Sequence, residues 1–399
     1  MNALILCFWI SAGVLTYTYL GYPVLVWLWA CLRPKPVAPA DVQPHLSVVI
    51  VACNEAHQIE RRIGNVLAQD YPPDRLEIIV ASDGSRDDTA ARARRVRPPC
   101  VRVVEFATRR GKSAVLDEVI PWAQGDIVVL ADARQSFAPG ALRALAAHFA
   151  APDVGAVSGE LMLVDGPEGS EVARGVDAYW RYEKFIRRSE SRVDSTVGVT
   201  GSIYGLRRVL FRMIPANIIL DDVLVPMSIA RQGYRVLFEP HALAYDRIAP
   251  SAHAEFRRKV RTLAGNFQLF LRAHWLWNPR ANRLWLQTVS HKFCRLLCPG
   301  FLLLAFCASL LLWALPVYRV LFALQLAFYA AALGGRCLRN SRGRILFLNV
   351  PYAFCLLNLA TVMGFIEFLA GRQRVTWEIT TMQAAMAGGA RRGLRQREL

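Results

Sequence analysis

Leu46-Ser47-Val48-Val49-Ile50-Val51-Ala52-Cys53-Asn54-Glu55, together with Leu76-Glu77-Ile78-Ile79-Val80-Ala81-Ser82-Asp83, decides the fold class of this chain. Each run is short, apolar and β-branched, and each ends in polar residues that suit a turn. Between them Ile59, Ile63, Val66 and Leu67 recur at helical spacing over 59–68. The pattern predicts a β-α-β unit whose parallel strands point their carboxyl ends to one rim. Val101–Phe106 and Ile127–Leu130 read as two further strands, with a helix starting at Lys112 between them. The rim is then expected to carry Asn54, Glu55, Asp83, the Arg109–Lys112 turn and Asp132. In an open parallel sheet ligands bind at that rim.

Working outward, the mixed region 40–280 is large enough for one globular domain, and strongly apolar stretches flank it. Residues 3–30 hold no charge and are long enough to cross a ~30 Å hydrocarbon core. The basic residues Arg33 and Lys35 follow this stretch rather than precede it, so 1–33 reads as an uncleaved anchor and not a signal peptide. Residues 297–370 read as a transmembrane region of three hydrophobic segments, preceded by a membrane-interface segment at 281–296 and followed by a basic tail at 371–399. Arg336, Arg339, Arg342 and Arg344 lie between two of the apolar segments, and by the positive-inside rule they and Arg33/Lys35 put the central domain in the cytoplasm. A bacterial inner membrane is the expected location, with the lipid bilayer as a partner.

The formal net charge of the 399 residues is +17, but its clusters flank helices and match no nucleic-acid-binding motif, so nucleic acid is not an expected partner. Anionic headgroups, a nucleotide diphosphate or solubility account for the charge. Nine cysteines show no paired metal spacing. No G-x-G-x-x-G follows the first strand and no Walker A motif occurs, which excludes the common dinucleotide and P-loop readings. Acids at successive strand ends suit instead a nucleoside, a diphosphate and a compensating cation. Asp87 and Asp88 read as a turn and helix cap, whereas Asp83 stands at the strand end itself. The Arg109–Lys112 turn is either a basic surface turn or a diphosphate contact.

These blocks, in this order and spacing, resemble the membrane-bound inverting family 2 glycosyltransferases, the superfamily of cellulose, chitin and hyaluronan synthases and of glycolipid synthases. The resemblance covers about 45–270. It implies a GT-A-type, mostly parallel nucleotide-sugar-binding sheet with flanking transmembrane helices. On the donor side it implies roles for Asn54, Glu55, Asp83 and Lys112. Where the family has D-x-D, this chain has Asp132-Ala133-Arg134. Asp132 is carried over as ligand of Mg2+ or Mn2+; either the metal is held mainly by Asp132 and phosphates, or Arg134 shares in neutralising the diphosphate. A UDP-sugar is the expected donor.

Val199-Thr200-Gly201-Ser202-Ile203-Tyr204 resembles the family's acceptor-side strand and glycine turn, making Gly201, Ser202 and Tyr204 acceptor-binding candidates. In Leu220-Asp221-Asp222-Val223 the family match makes Asp222 the general base and Asp221 its positioning partner; by sequence alone such tandem acids also suit a helix cap. Arg257-Arg258-Lys259-Val260-Arg261-Thr262 falls where the family carries Q-x-x-R-W. Arg258 takes the first position and Arg261 becomes a diphosphate ligand, or pairs with lipid headgroups on an interfacial basic helix. Thr262 replaces the tryptophan and removes a stacking surface for a sugar. The expected acceptor is a growing polysaccharide, with a lipid or lipid-linked acceptor as the alternative, and a homo-oligomer or an export partner completing any channel. Tyr179–Glu183 reads as an amphipathic segment, and His291 as interfacial or structural.

Overall fold

In a computed structural model of the chain, which describes residues 1–164, 172–215, 217–247, 252–337 and 346–371, β1 (Leu46–Ala52) is buried along its whole length. It pairs in parallel with β2 (Leu76–Asp83) on one side and β4 (Ile127–Asp132) on the other, and β3 (Val101–Phe106) extends the sheet beyond β2. A strand covered on both faces needs a continuous apolar run rather than alternation, which is the pattern of 46–52. The rest of the sheet comprises β5 (Ser136–Phe137), β6 (Val154–Val164), β7 (Ile203–Arg207) and β8 (Arg235–Arg247), in the order β3-β2-β1-β4-β7-β6-β8-β5. β7 runs antiparallel to β4, so the parallel half ends there. The sheet is mixed α/β with a GT-A-like arrangement.

In chain order the longer helices are α1 (Asn2–Leu32), α2 (Ile59–Leu67), α3 (Thr89–Arg95), α4 (Lys112–Val119), α5 (Ala141–Ala146), α6 (Val172–Val193), α7 (Asp221–Arg231), α8 (Ala252–Arg272), α9 (Trp285–Leu311), α10 (Pro316–Cys337) and α11 (Leu346–Leu369). The predicted spacing in α2 holds: Ile59, Ile63 and Val66 are fully buried against the face of the sheet that carries Val48 and Ile50. Truncating one such side chain to alanine costs about 2–5 kcal/mol. The opposite face packs Val49, Val51 and Leu130 against α4 and α7. Two apolar layers therefore hold the sheet, and the loops at its rim are left to chemistry.

Among the described residues four helices are long and apolar enough to cross a membrane: Asn2–Leu32, Trp285–Leu311, Pro316–Cys337 and Leu348–Leu369. Trp9, Leu20, Leu303, Leu311 and Leu324 are exposed on them, an outward face that water does not favour and lipid does. The chain is accordingly an integral membrane protein. Residues 285–296 belong to the same continuous helix as 297–311, through a π-helical turn at Thr288–Phe293. Arg339, Arg342, Arg344 and the basic tail from 372 onward lie outside the described residues.

The domain is fastened to these helices by specific contacts. α8 packs on α11 so closely that a Cβ at Gly364 would come within 2.9 Å of the Leu263 Cβ. α6 packs on α1, where Tyr22 donates to Glu190 at 2.5 Å and Tyr182 donates to the Tyr19 carbonyl at 3.0 Å.

Candidate active site

The carboxyl ends of β1, β2 and β4 bring Asn54, Asp83 and Asp132 to one rim, as the strand pattern predicts. Asn54 adopts a left-handed backbone (φ 58°), and its Oδ1 accepts from the Arg86 N–H at 2.8 Å. The next two backbone amides donate to Thr89 Oγ1 (2.8 Å) and Asp87 Oδ2 (3.1 Å), so the β1–α2 and β2–α3 loops form one stapled wall. Burial pushes the Glu55 carboxyl up to about 7, against the pull of its Gln58 hydrogen bond and of Arg134.

Asp83 is buried, and its two oxygens accept from the backbone N–H groups of Arg110 (2.6 Å) and Gly111 (2.9 Å). It therefore shapes the Arg109–Lys112 turn, which presents α4 to the rim. Gly84, at φ 58°, allows that close approach: a Cβ there would lie 2.3 Å from the Arg109 nitrogen. Lys112 opens α4 and reaches across the rim, its Nζ donating to Asp132 Oδ1 at 2.8 Å and to the Gly201 carbonyl at 3.2 Å. Burial opposes its charge, but Asp132, Asp221 and Asp222 outweigh burial and hold the ammonium above the usual lysine range.

On the far side, Asp221 and Asp222 form the first turn of α7, with Leu220 at the cap position and no side-chain capping bond. Acids there meet the positive end of the helix dipole. The expected strand and glycine turn divide at Ile203. Ladder pairing starts there, and 198–202 precedes it, with Gly198 at φ 88° and the amides of Val199 and Thr200 donating to the Asp222 carbonyl and Ser158 Oγ. These bonds tie the glycine turn both to α7 and to β6. A Cβ at Gly201 would stand 3.3 Å from Asp222 Oδ2. Ser202 and Tyr204 are buried, and Tyr204 lies within the apolar core beneath the acids.

Several polar atoms here are buried without a hydrogen-bond partner among the described residues: Asp221 Oδ2, Asp222 Oδ1, Ser202 Oγ and the Tyr204 hydroxyl. Burial first, then the charge of Asp221, push Asp222 up to about 6, against Lys112, Lys292 and Arg187. Asp221 is also raised, by burial, with Lys112 opposing. A carboxylate with a free, desolvated oxygen is suited to take a proton from a hydroxyl.

Arg134 and Arg258 meet a residue that sequence reasoning missed. Asp246, buried near the end of β8, lies 3.0 Å from Arg134 Nη2 and 4.0 Å from Arg258 Nη1, and Gln135 donates to it at 2.9 Å. Its only sequence signal is an acid near the end of an apolar strand, the same signal that marks Asp83 and Asp132. Arg258 also pairs with Glu255 one turn earlier on α8. Arg261 faces Asp221, its charge a small pull against the burial that raises that carboxyl. Thr262 bonds back to the Arg258 carbonyl at 3.1 Å within the helix.

Among the described residues no group of three His, Cys, Asp or Glu side chains could hold a metal ion by itself. Asp132 nonetheless suits a shared site: Lys112 occupies Oδ1, and the side chain stays 24% exposed. One carboxylate completed by phosphate oxygens and water is an ordinary Mg2+ environment. All nine cysteines are free.

Residues 47–214 match the family model described as glycosyl transferase family 2. Poly-beta-1,6-N-acetyl-D-glucosamine synthase of Staphylococcus aureus is 24% identical over 246 residues, covering 60% of this chain and 59% of that protein. Beta-monoglucosyldiacylglycerol synthase of Synechocystis is 30% identical over 154 residues, 36% of this chain and 32% of that one. The matches thus span less than two thirds of the length of these curated relatives. Among solved structures, mannosyltransferase PcManGT from Pyrobaculum calidifontis in complex with GDP-Man and Mn2+ shares the fold with a TM-score of 0.68 at 24% identity, over 91% of this chain and 99% of that one. On the rim just described, and with that fold beneath it, the chain carries a family 2 glycosyltransferase domain of GT-A type joined to helices that can cross a membrane.

Proposed function

We propose that the protein transfers a sugar, with inversion, from a nucleotide diphosphate donor to an acceptor hydroxyl at the membrane surface. The observation that carries this reading is Lys112, which ties the donor-side Asp132 to the acceptor-side Gly201 turn beside Asp222. The Asp222 carboxylate takes the proton of the hydroxyl as its oxygen bonds to the anomeric carbon. The bond from that carbon to the phosphate oxygen breaks on the opposite face, and the nucleotide diphosphate leaves with the electron pair. Asp221, at the head of the same helix, keeps Asp222 in place. Lys112, Arg261 and the Arg109–Lys112 turn offset the charge that develops on the leaving diphosphate. Asn54, Glu55 and Asp83 shape the nucleoside side, and Gly201 and Ser202 line the acceptor side. A divalent cation, Mg2+ or Mn2+, would sit on Asp132 and supply further charge neutralisation to the diphosphate.

The first acceptor to expect is a growing saccharide, in keeping with the polysaccharide synthase among the relatives, and the second is a lipid, in keeping with the glycolipid synthase. A uridine donor is the starting assignment, and guanosine belongs beside it because the mannosyltransferase was solved with GDP-Man. The basic flanks support a cytoplasmic domain, the side on which such donors are made. Incubating full-length protein in lipid nanodiscs with UDP- and GDP-sugars and saccharide or lipid acceptors, followed by mass analysis, tests the proposal. A ladder of mass increments identifies a polymerase, and a single increment a glycolipid synthase. No donor-dependent product with any acceptor, native membrane extract included, overturns the reading.

A further inference from the structure

Between Asp222 and the membrane helices lies a set of side chains that the transfer step leaves unused. Trp180, Glu183 and Arg187 share one face of α6, at helical spacing. Glu183 accepts from Arg295 Nη1 (2.7 Å) and His291 Nε2 (2.8 Å), and lies 3.7 Å from Arg187 Nε, too far for a hydrogen bond. Glu190 accepts from Tyr22 (2.5 Å), His291 Nδ1 (2.9 Å) and the Val197 N–H (3.3 Å). The carboxylates are thus occupied, but the cations only in part. Arg187 Nε, Arg295 Nε, Arg295 Nη2 and Trp180 Nε1 are all buried without a partner among the described residues.

Every one of these atoms is an N–H that can only donate. A buried donor left unpaired costs about 1–3 kcal/mol, and native proteins leave few of them. Their natural complement is a group rich in acceptor oxygens and negatively charged. Charge points the same way. Arg187, Lys292 and Arg295 surround the single carboxylate of Glu183, since Glu190 is turned to Tyr22, His291 and Val197. Arg187 also donates to Thr200 Oγ1 at 3.1 Å, next to the Gly201 turn, so this cationic pocket adjoins the candidate base.

A second feature adjoins the pocket. Pro299 stands one helical turn beyond Arg295 on the same face of α9, about 6 Å further along the axis. There an open apolar groove of about 340 Å3 begins, walled by Pro299, Leu302, Phe306, Tyr329, Leu359 and Val362. A donor-rich cationic pocket followed by an apolar groove along one helix has the shape of an amphiphile.

We infer that the protein binds an anionic lipid beside the acceptor side, its phosphate held by Arg187, Arg295 and the Trp180 indole N–H, its tail lying in the groove between α9, α10 and α11. The identification of this side as the acceptor side rests on the proposed transfer reading, but the binding itself does not.

The test uses full-length protein in detergent micelles and radiolabelled farnesyl phosphate, with farnesol and inorganic phosphate as competitors. Farnesyl phosphate is expected to bind at least about tenfold more tightly than farnesol, a gap typical of charge-assisted hydrogen bonds to a buried pocket. Inorganic phosphate at equal concentration should leave it bound. Arg187→Gln should weaken binding at least about tenfold, and Trp180→Phe, which keeps the ring and removes only the N–H, by about threefold to tenfold. The Trp180 variant keeps the inference testable where the arginine variant fails to fold. Equal affinity for farnesol would mean that the groove takes any lipid and water fills the donors, and displacement by inorganic phosphate would mean a free-anion site; either overturns the inference. Donor-dependent transfer by a protein that shows no headgroup preference in binding strikes this inference alone, whereas farnesyl phosphate binding without transfer to any acceptor strikes the proposed function alone.

Discussion

The two halves of the rim differ in how completely their polar groups are satisfied. On the donor half, Asp83 holds two backbone amides, Asn54 holds the Arg86 amide, and Asp132 holds Lys112. On the acceptor half, Asp221, Asp222, Ser202 and Tyr204 each keep a buried polar atom without a partner among the described residues. Buried groups are normally paired, and under the proposed transfer the paired acids of the donor half are set before their ligand arrives, while the acids of the acceptor half are completed by what binds there.

The sharpest way to break this comparison is Asp222→Asn. If Asp222 is the base, transfer should fall by about 10²–10⁴-fold, while UDP affinity, measured by calorimetry, changes by less than about threefold. Unchanged turnover would remove Asp222 from the mechanism. Lys112→Met comes next, because it cuts the one side chain that joins the halves. Transfer should drop by about 10²–10³-fold, and thermal stability should fall as well, since Asp132, Asp221 and Asp222 lose the ammonium that faces them. A normal melting temperature in that variant would mean that the three acids do not depend on Lys112.

The pH profile offers a milder test. Burial and Asp221 raise Asp222, Lys112, Lys292 and Arg187 oppose them, and the balance sits at about 6. A base works only when deprotonated, so kcat should rise tenfold per unit below about pH 6 and level off above it. Asp222→Asn should flatten this limb in whatever activity remains. A limb that persists unchanged would assign it to Glu55, the donor-side acid that burial holds at about 7.

How far the sequence revealed these halves follows from the range of the contacts involved. Strands β1–β4 and their acids were legible because each is a short apolar run with the functional residue at its end. The tandem acids were legible through the family pattern as candidates, and they open α7 in its first turn with Leu220, not an acid, at the cap position. The strand and glycine turn over 199–204 were legible through the family pattern, but nothing local tells that Val199 and Thr200 bond to α7 and Ser158. The His291 pairs with Glu183 and Glu190 join residues 108 and 101 positions apart, and no periodicity encodes them. Asp246 was missed for the same reason: its meaning comes from Arg134 and Arg258, which lie 112 and 12 positions from it in sequence.

The smallest expected effect belongs to Arg134, the cation standing where the family has its second acid. Its guanidinium is 45% exposed and paired with the buried Asp246, so its charge is already partly matched. Removing an exposed partner of this kind changes stability by about 0–1 kcal/mol. Arg134→Ala should therefore weaken donor binding by less than about tenfold and leave kcat nearly unchanged, whereas stripping divalent cations with EDTA should stop transfer, with Mg2+ or Mn2+ restoring it. The reverse pattern, transfer that withstands EDTA but collapses in Arg134→Ala, would mean that the arginine has taken over the neutralisation of the diphosphate. Asp246→Asn separates the two outcomes further. It frees Arg134 and Arg258 from their shared carboxylate, and if the arginines serve the diphosphate directly, donor affinity should increase rather than fall.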